Sequence, residues 1–358
     1  MRTAIDAMLA ARLDAALGRA SVLGRPVAAV VEAARSMALR GGKRFRGALC
    51  GAAYEAWGGE GGHLSVVPAG VALELLQLYL LIHDDWMDGD ELRRGGPTVH
   101  AALRREFSSE SLGAMGAVLA GDHCAALAQS CLFDLAIAPE QVVRASKEFA
   151  RMQDDVALGQ MVDVLAHASS AAAMERMHEL KTGSYTVAGP LRLGAALAGA
   201  DDLALDALSA FARPLGVAFQ LRDDLLGSFG DPGVTGKPRG TDVLQGKRSA
   251  VVLEGLASPG ADMHLAPVWS GTRESGSIQA GHSIPSGPSE GETNSPPSDP
   301  RLTDALDFLE RCGARRRVEE RLAVLLEEAR AASRTIPVAP RGQRLLAGAV
   351  DALGLRSL

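Results

Sequence analysis

Residues 81–100 read LIHDDWMDGDELRRGGPTVH. Asp84, Asp85, Asp88 and Asp90 fall within seven residues at the end of an apolar run, and Arg93-Arg94 follow at once. On a helix Asp84 and Asp88 stand at i,i+4 and share a face, with Asp85 on its flank. Like charges this close cost stability unless a cation answers them, and a helix C-terminus disfavours acids further. The run from Val71 to Ile82 is broken by Glu74 and Gln77 and falls short of the roughly 20 residues of a membrane span. It reads as a buried helix that carries its acidic end to a site.

The rest of the chain fits a helical protein. Its 358 residues suffice for a sizeable core, and 47% hydrophobic with 22% charged residues is the balance of a globular chain. A net charge of −6 gives no reason to expect nucleic acid or an anionic membrane as partner. The run Arg315-Arg316-Arg317 sits among glutamates and reads as a solvated helix face. Cys50, Cys124, Cys131 and Cys312 show no CxxC spacing, and no signal peptide precedes them, so reduced thiols and a cytoplasmic location are expected. Ala, Leu, Glu and Arg abound while period-two alternation is scarce, so the expected class is all-α, in a single domain. Asp201-Asp202 open one helix, and Pro214 falls near the start of another. From Ser258 to Pro300, Ser, Gly and Pro supply 22 of 43 residues, a composition that cannot offset its ordering entropy. That segment is expected to be a mobile, disordered insertion, with helix resuming from Leu302 to Ala332.

A second acidic cluster gives the first one a partner. FQLRDDLLGSFGD (Phe219–Asp231) again sets paired aspartates after an apolar stretch, and Gln220, Asp223, Asp224 and Gly227 share one helical face. Hard carboxylate oxygens suit Mg²⁺, which is held by one or two carboxylates plus substrate phosphates. The basic residues match a phosphate ligand: Lys43, Arg44 and Arg46 in GGKRFR, Arg93-Arg94, Lys181-Thr182 in KTGSYT, and Lys237 and Lys247 in VTGKPRGTDVLQGKRS. Each alone also reads as a surface charge. Together, two acidic and four basic clusters beside apolar helices point to a magnesium–diphosphate site.

These motifs, in this order from about Met37 to Ser249, resemble the trans-isoprenyl diphosphate synthases, or polyprenyl synthetase family. GQMVD (Gly159–Asp163) also fits. The resemblance implies the all-α isoprenoid synthase fold around a deep cavity, a homodimer, and three Mg²⁺ ions per site. It implies Asp84, Asp85, Asp88, Asp223 and Asp224 as metal ligands. Arg93, Lys181, Thr182, Gln220, Lys237 and Lys247 would hold the allylic diphosphate, and Lys43, Arg46, Gln77 and Arg94 isopentenyl diphosphate. Catalysis would centre on Asp84, Asp85, Asp88, Arg93, Lys181 and Asp223. The implied reaction is short-chain prenyl transfer, with a C20 product expected and C15 next, limited by Leu76, Tyr79 or Leu80 on the helix of the first motif. Tyr79 lies roughly 140° from Asp84 around that helix, whereas Leu76 and Leu80 lie nearer its face.

Other readings fit less well. A class I terpene cyclase shares the first acidic motif but has no use for a second diphosphate site. A non-catalytic synthase-like subunit should have lost the aspartates that this chain keeps. A di-iron bundle needs paired ExxH motifs, and Glu175–His178 matches that spacing without a helical partner. One departure from the family is plain: its second motif is usually DDxxD, and here the fifth position is Gly227.

Overall fold

Good helix formers dominate the sequence, and helices build the protein. The structure, a computed structural model, describes residues 1–166, 170–232, 238–270 and 299–354. The chain opens with α1 (Arg2–Leu23), α2 (Arg25–Leu39) and α3 (Phe45–Ala56), then α4 (Val67–Asp88), which carries the first acidic motif. Pro68 lies in the first turn of α4, and Gly89, at φ 70°, ends it in the left-handed conformation. A two-stranded antiparallel ribbon follows, β1 (Leu92–Arg93) against β2 (Gly96–Pro97). Then come α5 (Val99–Phe107), α6 (Glu110–Leu132), α7 (Pro139–Met161), a π-helical turn over Val162–Ala166 and α8 (Ala171–His178). A π-helix over Glu179–Ala188 leads into α9 (Gly189–Leu197) and α10 (Asp202–Phe229). The remainder is α11 (Thr241–Leu244), α12 (Ala250–Leu256), α13 (Ala261–His264), α14 (Ala266–Ser270), α15 (Pro300–Arg311), α16 (Ala314–Thr335) and α17 (Pro340–Gly354). The fold is all-α, as the composition led one to expect.

The helices group into two compact units, each drawn from separate stretches of chain. The first comprises Met1–Asp155, Ser184–Ala212 and Ala331–Ala349. At its heart lies α4, packed by α1, α3, α6 and α9. Leu73, Leu75, Leu76 and Ile82 are fully buried there, each stabilising the fold by roughly 1.5–3 kcal/mol. A helix that is apolar on every side is a buried helix, which explains why 71–82 shows no clean amphipathic stripe. The ranges 62–88 and 110–132 have the length and hydropathy of a membrane span, yet α4 and α6 pack on one another inside this unit. Glycine permits the close crossing of α3 with α9: a Cβ on Gly194 would lie 2.0 Å from the Cys50 carbonyl oxygen. Cys50, Cys124 and Cys131 are buried here, whereas Cys312 in the second unit is half-exposed.

The second unit comprises Val156–Gly183, Arg213–Arg330 and Val350–Leu358. Its core joins Leu221 and Leu225 of α10 to Val243, Val251, Leu265, Val268, Leu309 and Leu322. Two expectations change here. Pro214 does not start a helix but lies inside α10, where the buried residues on either side hold the helix despite the lost N–H. The Ser258–Pro300 segment is not uniformly irregular, because α13 and α14 occupy 261–270 and bury Ala261, Leu265 and Val268. Residues 271–298 lie outside the described residues, so the expectation of disorder there is neither met nor corrected.

If α13 and α14 belong to the core, Leu265→Ala lowers the unfolding free energy by about 2–5 kcal/mol. Urea denaturation of the full chain measures it, and a loss below about 0.5 kcal/mol would match a loose surface loop instead.

Candidate active site

In the first unit the acidic end of α4 is graded in exposure. Asp85 is fully buried, Asp84 half-buried and Asp88 exposed. Arg93, placed by the β-ribbon, donates to Asp85 Oδ1 through Nε and Nη2, and its Nη2 lies 3.6 Å from Asp90. Asp85 Oδ2 is buried and accepts no hydrogen bond. Burial pushes the Asp85 carboxyl up to about 6, although the Arg93 pairing pulls the other way. Arg93 is thus a partner of the first acidic motif itself as well as a candidate phosphate ligand.

The GGKRFR residues separate by role. Lys43 is exposed, but Arg44 is buried at φ 49°, with Nη1 donating to Glu74 of α4 at 2.8 Å and Nε to Asp6 of α1 at 2.6 Å. That leaves Arg44 as a brace, whereas the sequence reading assigned Lys43 and Arg46 to the substrate and gave Arg44 no role of its own. Arg46 donates to Thr186 Oγ1 at 2.7 Å and lies 4.4 Å from the centroid of the Tyr185 ring. Arg94, at φ 52°, donates to the Gly41 carbonyl and lines a small cleft with Arg44, Glu74 and Gln77. Burial holds its guanidinium below the ordinary value, Glu74 opposes, and the Arg44, Arg93 and Arg46 charges add to the lowering. With Arg44 paired to Glu74 and Asp6, Arg94 is the lining cation that this cleft offers an anion.

Farther up α4, Leu76 is fully buried and Tyr79 and Leu80 are half-buried. The Tyr79 ring meets His83 edge-on at 4.8 Å, and His83 bonds the Val118 carbonyl of α6 at 3.1 Å.

The second unit holds its own set. Lys181 donates to Asp163 at 2.6 Å, and Asp163 is the residue of GQMVD to which the sequence reading gave no role. Gly159 lets the π-helix approach, since a Cβ there would lie 2.3 Å from the Lys181 backbone nitrogen. Thr182 donates to Gln220 at 2.8 Å, and Gln220 donates to Asp224 Oδ1 at 2.9 Å. Asp224 Oδ2 accepts from the Ala250 N–H at 2.8 Å, with His178 Nε2 at 3.8 Å. Asp224, expected among the metal ligands, is buried and has both oxygens engaged by the protein, whereas Asp223 is half-buried. Lys247 is half-buried, and its N–H donates to the Asp242 carbonyl at 2.9 Å. Lys237 lies outside the described residues. Gln220 and Asp224 thus meet as the spacing implied, and Thr182, which the resemblance grouped with Gln220, joins them.

The polyprenyl synthetase family model matches residues 27–278, which include both acidic clusters and all four basic ones. The chain belongs to the polyprenyl synthetase family. It is similar to the geranylgeranyl diphosphate synthase of Methanosarcina mazei, 34% identical over 243 residues that cover 67% of this chain and 71% of that one. The geranylgeranyl diphosphate synthase of Mycobacterium tuberculosis is 40% identical over 221 residues, 61% of this chain and 59% of that protein. The crystal structure of the Corynebacterium glutamicum geranylgeranyl pyrophosphate synthase, complexed with isoprenyl diphosphate and magnesium, superposes with a TM-score of 0.82. That comparison covers 100% of both chains at 30% identity.

Two predictions follow from the pairs in this polyprenyl synthetase family member. Arg44→Met strands the buried Glu74 carboxylate and lowers the unfolding free energy by about 3–5 kcal/mol, measured by chemical denaturation. A loss below about 1 kcal/mol would show that water reaches Glu74. The second concerns Asp85, whose carboxyl stands at about 6 against an ordinary 3.8. Between those values the folded chain binds the proton more tightly than the unfolded one, so the stability it contributes is present below pH 4 and lost as pH rises through about 6. Without divalent cations, the stability of the unmodified chain relative to Asp85→Asn therefore falls by about 2–3 kcal/mol from about pH 4 to about pH 7. A difference independent of pH would remove burial as the cause.

Proposed function

We propose that the chain is a trans-prenyltransferase that condenses isopentenyl diphosphate with an allylic diphosphate to a short-chain all-trans prenyl diphosphate, releasing diphosphate. One recurring arrangement carries the reading. In each unit paired aspartates follow an apolar helix stretch: Asp85 of the first pair is held by Arg93, and Asp224 of the second by Gln220, which accepts from Thr182, the neighbour of the Lys181 that pairs with Asp163. Family membership and the geranylgeranyl diphosphate synthases among its relatives support the same reaction.

The residues fit magnesium. The orphaned Asp85 Oδ2 is a buried, hard oxygen donor, which Mg²⁺ prefers. Asp84, Asp85, Asp88 and Asp223 would hold the ions, with Asp224 orienting that helix, and three ions are the number we assign. Bound Mg²⁺ supplies Lewis acidity toward the leaving diphosphate. Arg93, Lys181, Thr182, Gln220, Lys237 and Lys247 would grip the allylic diphosphate, and Lys43, Arg46, Gln77 and Arg94 the isopentenyl diphosphate, through charge-assisted hydrogen bonds. The allylic C1–O bond breaks, its electron pair leaving with the diphosphate. The double bond of isopentenyl diphosphate then forms the new C–C bond at C1, and loss of one proton restores a double bond. Apolar residues of α4 keep water from the carbocation. Exposed Leu112, Met115 and Leu119, one stripe of α6 at i, i+3 and i+7, support a homodimer.

Radiolabelled isopentenyl diphosphate, each allylic starter and Mg²⁺ test the reading, with products sized by chromatography. Incorporation into a C20 product is expected, with C15 as the lesser outcome. No incorporation would overturn the assignment. Tyr79, half-buried one helical turn before His83, is the residue we assign to stop the chain. Tyr79→Ala then lengthens the product by at least one C5 unit, whereas an unchanged product at lower rate moves the stop to Leu76 or Leu80.

A further inference from the structure

The fifth position of the second acidic motif holds Gly227, four residues beyond Asp223 and so on the same face of α10, about 6 Å along it. Glycine inside a helix costs roughly 0.5–1 kcal/mol relative to alanine, so its presence needs a cause. Backbone conformation is not that cause, because Gly227 is absent from the residues with positive φ. The space itself is taken: a Cβ on Gly227 would lie 1.8 Å from Asp242 Oδ2 and 2.5 Å from its Cγ, so a side chain there requires the Asp242 carboxylate to move. The carboxylate of Asp242 fills the space in which the side chain at 227 would begin.

Asp242 reaches that place on a built turn. It belongs to α11, whose Val243 is fully buried and whose Val243 carbonyl accepts the Trp269 indole N–H at 2.8 Å. Trp269 comes from α14, inside the segment that composition assigned to disorder. The Asp242 carbonyl accepts the N–H of Lys247, which ties one turn to both a carboxylate and a candidate phosphate cation.

We propose that Asp242 supplies the carboxylate missing at position 227, so that the second acidic cluster toward the divalent cation and diphosphate is Asp223 with Asp242. The motif is then complete in space although interrupted in sequence. This inference rests on the magnesium–diphosphate reading above and adds a residue to it. The charge sits on α11 instead of α10, so its position depends on the packing of α14.

Calorimetric titration of the full chain with inorganic pyrophosphate, with and without Mg²⁺, tests the assignment. The variants are Asp242→Asn, which keeps shape and removes charge, Asp242→Ala, and the exchange Gly227→Asp with Asp242→Ala, each checked by thermal melting. Both single variants should weaken Mg²⁺-dependent pyrophosphate binding by about 10- to 100-fold, the range for residues that support a metal site. Binding without Mg²⁺ should change less than about twofold, and the exchange should recover most of the loss. Unchanged Mg²⁺-dependent binding by Asp242→Asn would overturn the proposal, as would an equal loss with and without Mg²⁺. Failure of the unmodified chain to bind pyrophosphate with Mg²⁺ would instead remove the magnesium–diphosphate reading itself.

Discussion

A carboxylate inside a protein must be met by charge, hydrogen bonds or a proton, and Asp85 is buried completely. Much of the first unit follows from that demand. Arg93 must fold back onto the helix that precedes it, so the chain turns at Gly89 and again at the ribbon. The same turn forces Arg94 into left-handed backbone, and Arg94 fastens the Gly41 carbonyl. Arg44, also left-handed, braces the other side of that loop on Glu74 of the same helix. Strained arginines at both points are what a site held by its surroundings looks like. The negative charge crowded beside the apolar run is therefore answered at once by positive charge because the pairing builds the loop that carries Arg93 and Arg94.

The second unit solves the same problem with neutral donors. Asp224 is met by an amide side chain and a helix N-terminal N–H, and the amide in turn accepts from Thr182. One chain of hydrogen bonds thus runs from the π-helix to the start of α12, and such networks reinforce themselves in a low dielectric. Ionic strength should matter less to this arrangement than to a surface ion pair, because no exposed charge takes part.

The all-α class, the buried helix of the first motif and the shared face of Gln220 and Asp224 were all legible, because local periodicity fixes them. Residues whose role depends on a distant partner were not. Arg44 looks like Lys43 and Arg46 until Glu74 and Asp6 surround it, and Asp163 becomes a site residue only through Lys181. The Ser258–Pro300 composition was averaged over a segment whose first part holds Ala261, Leu265 and Val268, apolar anchors of two short helices hidden by the polar remainder. Pro214 misled for the opposite reason, since tertiary packing overrode a strong local breaker.

The distribution of thiols makes the molecule its own stopwatch. Burial pushes Cys50 and Cys124 up to about 12 and raises Cys131 as well. At about pH 8 roughly one in ten thousand of the first two would be thiolate, the form that alkylating reagents attack. Their modification must wait for the helices around them to part, so its rate counts openings of the first unit. Cys312, half-exposed beyond α15, takes reagent without that wait and marks the start of the count.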